Sequence, residues 1–543
     1  MLSTSELSEW KQFFPFDNVR QQQADAINFS LKELKTKKFI ILELGCGVGK
    51  SAIGVTVARK LISELNSKES GAYFLTTQKV LQDQYMQDFG PQGLGLMRTI
   101  KSSSNYRCAY HPTQSCAESR RILPHLRTVE EAKDFVKTCN EICPYSKEKS
   151  FFIQSQLSVT NFSYFLSETM YAGKLEPRQL LIIDEAHNIE TELSKFVEIV
   201  FSEKFAKDVL KCKLPVSLSQ ESVIEWIKKT YKPSLSKYLK KTENTVKKES
   251  KEGSSIEESS KRYEMLDKHL NKIEKFIDSY KSENWVMNHV ESNNPKNPYK
   301  KLEFKPISVA SYVRDSLFKF GEKVIMMSAT ILNKSAFCRS IGLAESEVEF
   351  LKIDSPFSSD NKPIYVLPVG SMSASNINET LPKMSQVIKE IMSQHAKEKG
   401  ILHVVNYKIA NYIKENLKDD RILYHDSTNR DIVLKRHLSS QEPTVLLSPS
   451  MMEGVDLADD ASRFQVLCKI PYPYLGDAVI QKRMKNDDMW YSYQTAKLII
   501  QALGRSIRNE KDYAASYILD SDWLNFYSKY SYMFPNDFCK TVK

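Results

Sequence analysis

The sequence contains no long hydrophobic run. None approaches the ~18 consecutive apolar residues that a membrane-spanning helix requires. The first residues, MLSTSELSEWKQF, have neither the basic start nor the apolar core of a signal peptide. These absences argue against a membrane protein and against a secreted one. They predict an intracellular location, either cytoplasmic (nucleoid-associated) or nuclear.

Positive charge is only in mild excess over negative charge. The 543-residue chain carries 77 Lys and Arg against 67 Asp and Glu, a net charge of +10. This excess is compatible with a polyanionic partner but does not by itself indicate one. The nine cysteines argue against a disulfide framework in a chain predicted to stay inside the cell. The length allows roughly three to four domains of ~100–200 residues.

The stretch FIILELGCGVGKS, residues 39–51, has the pattern of a nucleotide-binding loop. A short apolar strand leads into a glycine-rich turn, and a helix with apolar residues at helical spacing follows. Glycines let backbone N–H groups curl around phosphate oxygens, while the lysine and the serine reach the outer phosphates and Mg²⁺. Leu44 occupies the position of the first glycine of the usual motif. The predicted ATP-binding residues here are Gly47, Val48, Gly49, Lys50 and Ser51.

A second apolar run, residues 180–183, leads directly into the sequence DEAH, residues 184–187. A buried strand that ends in adjacent carboxylates suits a nucleotide hydrolysis site. Asp184 is predicted to hold Mg²⁺ together with Ser51. Glu185 is predicted to orient and deprotonate the attacking water.

A polar helical face is predicted near the end of the chain. Gln501, Arg505 and Arg508 stand at positions i, i+4 and i+7, so they share one side of a helix. Arginines stabilise the charge on a transferring phosphoryl group, so these three residues are predicted to be catalytic. The alternative is a surface helix with two exposed arginines.

Four of the cysteines fall within 36 residues: Cys108, Cys116, Cys139 and Cys143. Such a concentration in an intracellular chain indicates a metal or cluster site. Zinc sites usually have tight cysteine pairs on both sides, and only the second pair is tight here. Iron–sulphur clusters accept irregular spacing and often end in Cys-Pro, as Cys143-Pro144 does. A cluster is favoured, and zinc or no metal remain alternatives.

Polar residues also follow other predicted strands. At such positions they can hold a nucleic-acid backbone, link it to the nucleotide site, or simply cap the next helix. The residues predicted to couple nucleotide and nucleic acid are Thr76, Thr77, Asn161, His187, Ser328, Thr330, Glu453 and Asp456. Arg20 and Gln23 lie about one helix before the glycine loop, at a place that resembles the adenine-contacting segment of helicases, and this resemblance implies a contact with adenine; a packing helix with a polar face is equally compatible.

Residues 200–300 read as an inserted helical module. One helical stripe is formed by Leu266, Leu270, Ile273, Ile277 and Tyr280. Between residues 228 and 282, 15 Lys or Arg stand against nine Asp or Glu, so a basic face could touch nucleic acid or simply be solvated. After residue 350 apolar strands alternate with helices, with strands predicted at 363–367, 400–405, 444–448 and 465–470. This alternation predicts parallel α/β layers.

The motifs GCGVGKS, TTQ, DEAH, SAT, EGVD and QALGRSIR follow the order of superfamily 2 helicase motifs. The four cysteines lie between the glycine loop and DEAH, and the helical insert lies between DEAH and SAT. Together these features resemble the XPD/DinG-like iron–sulphur DNA helicases with a DEAH box. The resemblance extends over nearly the whole chain.

The resemblance implies an α/β fold with two RecA-like parallel-sheet motor domains. An iron–sulphur subdomain and a helical arch would be inserted in the first. The implied ranges are motor domain 1 at 1–99, 151–199 and 301–345, the cluster subdomain at 100–150, the arch at 200–300, and motor domain 2 at 346–543.

The implied activity is ATP-dependent translocation on single-stranded DNA, 5′ to 3′, coupled to duplex unwinding. The implied cofactors are ATP, Mg²⁺ and a 4Fe-4S cluster held by the four cysteines. The implied partners are single-stranded DNA and forked or tailed duplex DNA, with no membrane, and the chain would act as a monomer. Arg505 and Arg508 would reach the γ-phosphate from the second domain.

Two features depart from the family pattern, since Gly45 and Cys46 stand where Pro and a Ser or Thr are usual. Cys46 is not expected to bind metal. Three alternatives remain: a DNA-stimulated ATPase that remodels complexes without unwinding, an RNA helicase, and a phosphate-loop enzyme acting on a small molecule. Ala502 after Gln501 and the cysteine insert disfavour the RNA branch, and the late arginines disfavour the small-molecule enzyme.

Overall fold

The computed structural model describes residues 9–64, 71–77, 79–123, 126, 128–172, 175–215, 217–252, 257–292, 299–426, 429–449, 457, 459–504, 506–507 and 512–543. Its strands are β1 (Phe39–Leu44), β2 (Ala72–Thr76), β3 (Met97–Thr99), β4 (Leu157–Asn161), β5 (Arg178–Ile183), β6 (Ile199–Ser202), β7 (Trp285–Ser292), β8 (Tyr299–Pro306), β9 (Gly321–Ser328), β10 (Val348–Ile353), β11 (Ile364–Gly370), β12 (Gly400–His403), β13 (Ile422–Tyr424), β14 (Val445–Ser448), β15 (Phe464–Leu467) and β16 (Ala515–Asp520).

The first half of the chain builds a seven-stranded sheet in the order β10-β1-β9-β5-β2-β4-β3. All its neighbouring strands pair in parallel. Helices cover both faces, so the inner strands are mostly apolar, and every residue of β1, Glu43 included, is buried. Alternate residues of β1 point to opposite cores: Ile41 belongs to the cluster that contains Phe318, whereas Ile40 and Leu42 belong to the cluster that contains Ile53.

The helices associated with this sheet and with the segment that carries the four cysteines are Gln21–Glu33, Lys50–Ser63, Lys79–Phe89, Cys116–Ile122, Val129–Glu141, Pro144–Gln154, Phe162–Ser167, Ile189–Val197, Ala310–Ser316 and Lys334–Ile341. Because the strands are parallel, the carboxyl ends of β1, β5 and β2 lie along one edge of the sheet, and a loop or helix N-terminus follows each of them. Ligands of open parallel sheets bind at this edge.

The second half builds a six-stranded parallel sheet in the order β11-β16-β15-β12-β14-β13. Its helices are Ile377–Gln394, Tyr407–Asn416, Arg430–Ser439, Ala478–Asn486, Trp490–Leu503, Asp522–Tyr530 and Asn536–Cys539. The two parallel sheets confirm the predicted α/β class. The four strands predicted in this half are all present, but β13 and β16 were not predicted.

The insert is less helical than predicted. Helices Gln220–Trp226, Lys232–Glu252 and Glu257–Ser279 are present, and the predicted stripe packs in their shared core with Leu266 and Ile273 buried. A three-stranded antiparallel sheet, in the order β6-β8-β7, forms the base of the insert. Its strands mix polar and apolar residues without regular alternation, which is a weak signal beside a charged region. No described helix is long and apolar enough to cross a membrane.

Two boundaries proposed from the sequence cut through sheets. β8 runs from Tyr299 to Pro306 and so crosses the predicted boundary at 300. Because it pairs with both β6 and β7, all three strands belong to one sheet. β10, which was assigned to motor domain 2, pairs in parallel with β1 of the first sheet, with Phe39 opposite Val348. β1 pairs with β10 from Phe39 to Val348, and β6 pairs with β8 from Ile199 to Phe304, so sequence order alone does not reveal these partners. The first sheet extends to Ile353.

Candidate nucleotide site

The phosphate loop connects β1 to the helix Lys50–Ser63. Gly47 and Gly49 have φ angles of 85° and 90°, in the left-handed region that glycine adopts without strain. Gly49 is the N-cap residue, so Lys50 and Ser51 begin the helix. The partial positive charge of a helix N-terminus thus lies beside the lysine, an arrangement that attracts phosphate.

Arg20 and Gln23 both reach this loop. The Arg20 guanidinium donates a hydrogen bond from Nη1 to the Gly47 carbonyl oxygen at 2.6 Å. The Gln23 side chain accepts one from the Arg20 backbone N–H at 3.0 Å. A Cβ on Gly49 would lie 2.4 Å from Gln23 Nε2, so the Gln23 amide lies directly against the loop. Their predicted role with adenine stays a prediction, but both residues are placed at the loop.

Asp184 lies at the carboxyl end of β5 and is buried. Its Oδ2 accepts a hydrogen bond from the Tyr85 hydroxyl at 3.1 Å, and its Oδ1 accepts one from the Glu185 backbone N–H at 2.9 Å. Burial and the neighbouring Glu185 raise the Asp184 pKa to about 6, and the Lys50 ammonium opposes this shift. Lys50 and Asp184 therefore act on one another electrostatically across the edge where β1 and β5 end.

Glu185 has a left-handed backbone, with φ of 51°. For a residue with a long side chain this conformation is strained, and such strain is concentrated at functional sites. The Glu185 carboxylate Oε2 lies 3.3 Å from His187 Nδ1. The donor set fits Mg²⁺ and a phosphate chain, because a carboxylate, a hydroxyl and an ammonium converge on a helix N-terminus.

His187 joins the two halves of the protein. Its Nδ1 lies 2.7 Å from the Ser328 hydroxyl at the end of β9, and its Nε2 lies 2.6 Å from Gln501 Nε2. When the Gln501 amide nitrogen donates to Nε2, the ring proton resides on Nδ1, which can then donate to Ser328. Lys497 also donates to the His187 carbonyl oxygen at 3.4 Å. The DEAH sequence thus touches the helix Trp490–Leu503 directly. The predicted helix through Arg508 is wrong in its extent, because the helix ends at Leu503 and Ser506 and Ile507 are not helical.

The other predicted strand-end residues have mixed surroundings. Asn161 caps the next helix, accepting from Tyr164 N–H at 3.0 Å, as the alternative role required. Ser328 accepts from the Thr330 backbone N–H at 3.0 Å. Thr76 is buried, and the Thr77 hydroxyl is buried without a hydrogen-bond partner among the described residues. Arg505, Arg508, Glu453 and Asp456 lie outside the described residues.

The four predicted cysteine ligands influence one another. Burial raises the pKa of Cys116 to about 12, and Cys143 and Cys108 add to the shift. Burial also raises the pKa of Cys139, with Cys143 and Cys108 again contributing. For Cys143 burial is outweighed by hydrogen bonds, chiefly from Ser146, and its pKa falls. Cys143 is the N-cap of the helix Pro144–Gln154.

The donor chemistry of these cysteines suits a thiolate-bound centre. The His111 backbone N–H donates to Cys108 Sγ at 3.4 Å, and a helix N-terminus faces Cys143, so partial positive charge is directed at two of the four sulphurs. In the part of the chain that the structure describes, no three His, Cys, Asp or Glu side chains form a group that could hold a metal ion. The cluster therefore stays a proposal.

Several partners in the site were not predicted from the sequence. Tyr85 holds Asp184 from the helix that follows β2. Glu43, buried in β1, accepts from the Leu332 backbone N–H at 2.7 Å just after the SAT motif, and it pairs with Lys352 at 3.1 Å. A carboxylate inside an apolar strand was the available signal for Glu43. Nothing in the sequence around Tyr85 distinguishes it from a core tyrosine.

Two families of known proteins match the chain. Residues 388–541 match the family described as the helicase C-terminal domain, and residues 76–205 match the family DEAD_2. A probable ATP-dependent helicase of Methanocaldococcus jannaschii, MJ0942, is 22% identical over 95% of this chain and 94% of its own. The ATP-dependent DNA helicase DinG of Photobacterium profundum is 26% identical over 41% of this chain, a match that spans only 35% of DinG's length.

Solved structures agree on the fold. A structure titled XPD_Helicase superposes with a TM-score of 0.65 at 16% identity and covers 95% of this chain and 99% of its own. Xpd4 of S. tokodaii gives a TM-score of 0.57 at 18% identity, covering 96% and 99%. Both matches extend over the two parallel sheets and the insert. The two family matches and the ordered motifs support the resemblance to the XPD/DinG-like helicases of superfamily 2, and the solved structures show that the chain shares their fold.

Proposed function

We propose that the protein is an ATP-dependent DNA helicase that moves 5′ to 3′ along single-stranded DNA and unwinds forked or tailed duplexes. The observation that carries this proposal is the contact between His187 and Gln501. It joins the carboxylate pair of the first sheet to the late helix of the second half. Nucleotide hydrolysis at the first sheet can therefore act on the relative position of the two halves.

In this proposal Lys50 and the loop N–H groups bind the phosphates of ATP. Ser51 and Asp184 hold Mg²⁺, which would neutralise charge on the phosphate oxygens. Glu185 orients the attacking water and takes its proton, and its fixed left-handed backbone sets the direction of the carboxylate. Arg505 and Arg508 complete the charge stabilisation from the second half, and Arg20 and Gln23 face the base.

Single-stranded DNA would contact the polar strand ends of both sheets. Thr77 belongs to this set: its buried hydroxyl has no partner among the described residues, and rotation of the side chain would bring it to a phosphate oxygen. Thr76, Asn161, Ser328, Thr330, Glu453 and Asp456 complete the proposed coupling set. His187 and Ser328 would pass the state of the nucleotide to this surface, since they are hydrogen-bonded to each other.

We also propose that Cys108, Cys116, Cys139 and Cys143 hold a 4Fe-4S cluster. Their mutual electrostatic influence supports it, as does the direction of N–H groups toward Cys108 and Cys143. Iron and labile sulphide analysis after anaerobic purification tests this. We expect close to four irons per chain, as a 4Fe-4S cluster requires; one zinc and no iron would overturn the cluster.

In domain terms, motor domain 1 would end after Ile353, and the arch would include β6, β7 and β8.

Strand displacement on a 5′-tailed duplex tests the helicase proposal, with Lys50→Ala as the inactive control. We expect ATP-dependent unwinding by the wild type and none by the variant. A 3′-tailed duplex tests the direction. DNA-stimulated ATP hydrolysis without strand separation would instead support a remodelling ATPase. Hydrolysis that single-stranded RNA stimulates and DNA does not would support an RNA helicase.

A further inference from the structure

The segment that joins the two parallel sheets, residues 354–363, passes directly over the phosphate loop. The Ser355 hydroxyl donates a hydrogen bond to the Cys46 carbonyl oxygen at 2.9 Å. The oxygen of the Ser355 hydroxyl in turn accepts a hydrogen bond from the Phe357 backbone N–H at 3.3 Å. The Ser355 side chain thus connects the linker to the phosphate loop and also holds the backbone of Phe357.

The linker touches the loop too closely for any side chain to lie between them. A Cβ on Gly45 would lie 2.3 Å from the Ser355 backbone nitrogen, and a Cβ on Gly47 would lie 2.0 Å from Cζ of the Phe357 ring. Gly45 also donates its N–H to the Ile353 carbonyl oxygen at 2.9 Å. A proline at position 45 would lose this hydrogen bond and collide with the linker, which gives a physical reason for the departure at Gly45.

The Phe357 ring contacts both halves of the protein. It is buried in a small apolar cluster with Ile507 and Ala514, and Cys46 of the phosphate loop packs against this cluster. Ile507 and Ala514 flank the stretch that contains Arg508, beyond the late helix. A single ring therefore connects the loop, the linker and the segment that carries the late arginines.

We infer that Phe357 is a positioning residue for the proposed ATP site. The loop contains two glycines with positive φ, so its backbone has many conformations open to it, and ordering them opposes ligand binding. The ring, held through Ser355, restricts the loop before ATP binds. It also sets the distance between the loop and the segment that follows Gln501. This inference rests on the proposed function, because it assigns a role within the same site.

Steady-state ATP hydrolysis with saturating single-stranded DNA tests it, comparing the wild type with Phe357→Ala and Phe357→Leu. Phe538→Ala is the matched control, because Phe538 is 8% exposed and Phe357 7%, yet Phe538 lies in a separate apolar cluster of the second half. We expect Phe357→Ala to raise the KM for ATP about tenfold while kcat changes less than about twofold. Phe357→Leu should recover most of the affinity.

Equal KM values for Phe357→Ala and Phe538→Ala would overturn the inference. Should Phe357→Ala fail to fold, Ser355→Ala decides: a KM raised about threefold supports the positioning role, and an unchanged KM refutes it. A fluorescent ADP analogue titrated against the same variants gives the affinity independently of turnover. Failure of the proposed function looks different, because the wild type would then hydrolyse no ATP or Lys50→Ala would remain active.

Discussion

Gln501 and His187 face each other across the contact between the two halves, with their Nε2 atoms 2.6 Å apart. Both side chains are more than nine-tenths buried. His187 follows the carboxylate pair by two residues, and Gln501 belongs to the helix Trp490–Leu503. A movement of one half relative to the other would therefore break this hydrogen bond.

Replacing Gln501 should uncouple the two halves without removing the nucleotide site. We expect Gln501→Ala to lower the DNA-stimulated kcat by about ten- to a hundredfold, because a buried partner of His187 is lost at about 1–3 kcal/mol. The KM for ATP should stay within about twofold. Measured kcat and KM with and without single-stranded DNA check this. A proportional loss of basal and stimulated turnover would contradict the coupling role.

The sequence predicted well what depends on local pattern. The strands β1, β2, β5 and β9 are apolar runs that parallel packing requires, and the polar residues that follow them indicated the edge of the sheet where the nucleotide site lies. β10 was assigned to the wrong half because its partner, β1, lies about 300 residues earlier, and no local pattern specifies which sheet a strand joins.

The supporting contacts of the site were also beyond local pattern. Tyr85 is hydrogen-bonded to Asp184, 99 positions away in the sequence, and Ser355 is hydrogen-bonded to Cys46, 309 positions away. Each is an ordinary residue in its own neighbourhood and acquires its role only through packing. The antiparallel sheet of the insert was hidden in the same way, because β6 pairs with β8 across the whole insert, with Ile199 opposite Phe304.

The buried ion pair between Arg483 and Glu190 should contribute to the contact between the halves. Arg483 also stacks on Trp490 at 5.2 Å, and the two charged side chains are only 10% and 12% exposed. We expect Glu190→Gln to destabilise the protein by about 3 kcal/mol, because an arginine then remains buried without its partner charge. The double variant Glu190→Gln, Arg483→Met should be more stable than Glu190→Gln alone.

Chemical denaturation checks this prediction, with Glu225→Gln as control. Glu225 pairs with Lys229 on the surface of the insert, so its loss should leave the midpoint unchanged. If both single glutamine variants shifted the midpoint equally, the buried pair would have no special role.

Loss of one proposed cluster ligand should affect unwinding more than ATP turnover. Cys108→Ser should remove most of the iron and reduce strand displacement by at least about tenfold, while DNA-stimulated ATP hydrolysis falls by less than about threefold. The reason is that the cysteines lie on a segment other than the phosphate loop and the end of β5, which carry Lys50 and Asp184. Cys212→Ser is the matched control, since Cys212 is also buried but packs in the core of the insert. Iron content that is equal in both variants would rule out Cys108 as a ligand.

Buried histidine should make the protein acid-sensitive. His437 is fully buried, and its Nε2 contacts the Ala461 carbonyl oxygen at 2.8 Å. Burial lowers the pKa of His437 from 6.5 to about 4. As the pH falls from about 6.5 to about 4, the unfolded chain takes up a proton that the folded protein does not, so the stabilisation present above pH 6.5 is lost, up to about 3 kcal/mol. Denaturation midpoints at pH 7 and pH 5 should differ less in His437→Gln than in the wild type, because the amide can still donate to Ala461 and does not titrate. An unchanged difference between the two midpoints would show that His437 is not the group responsible.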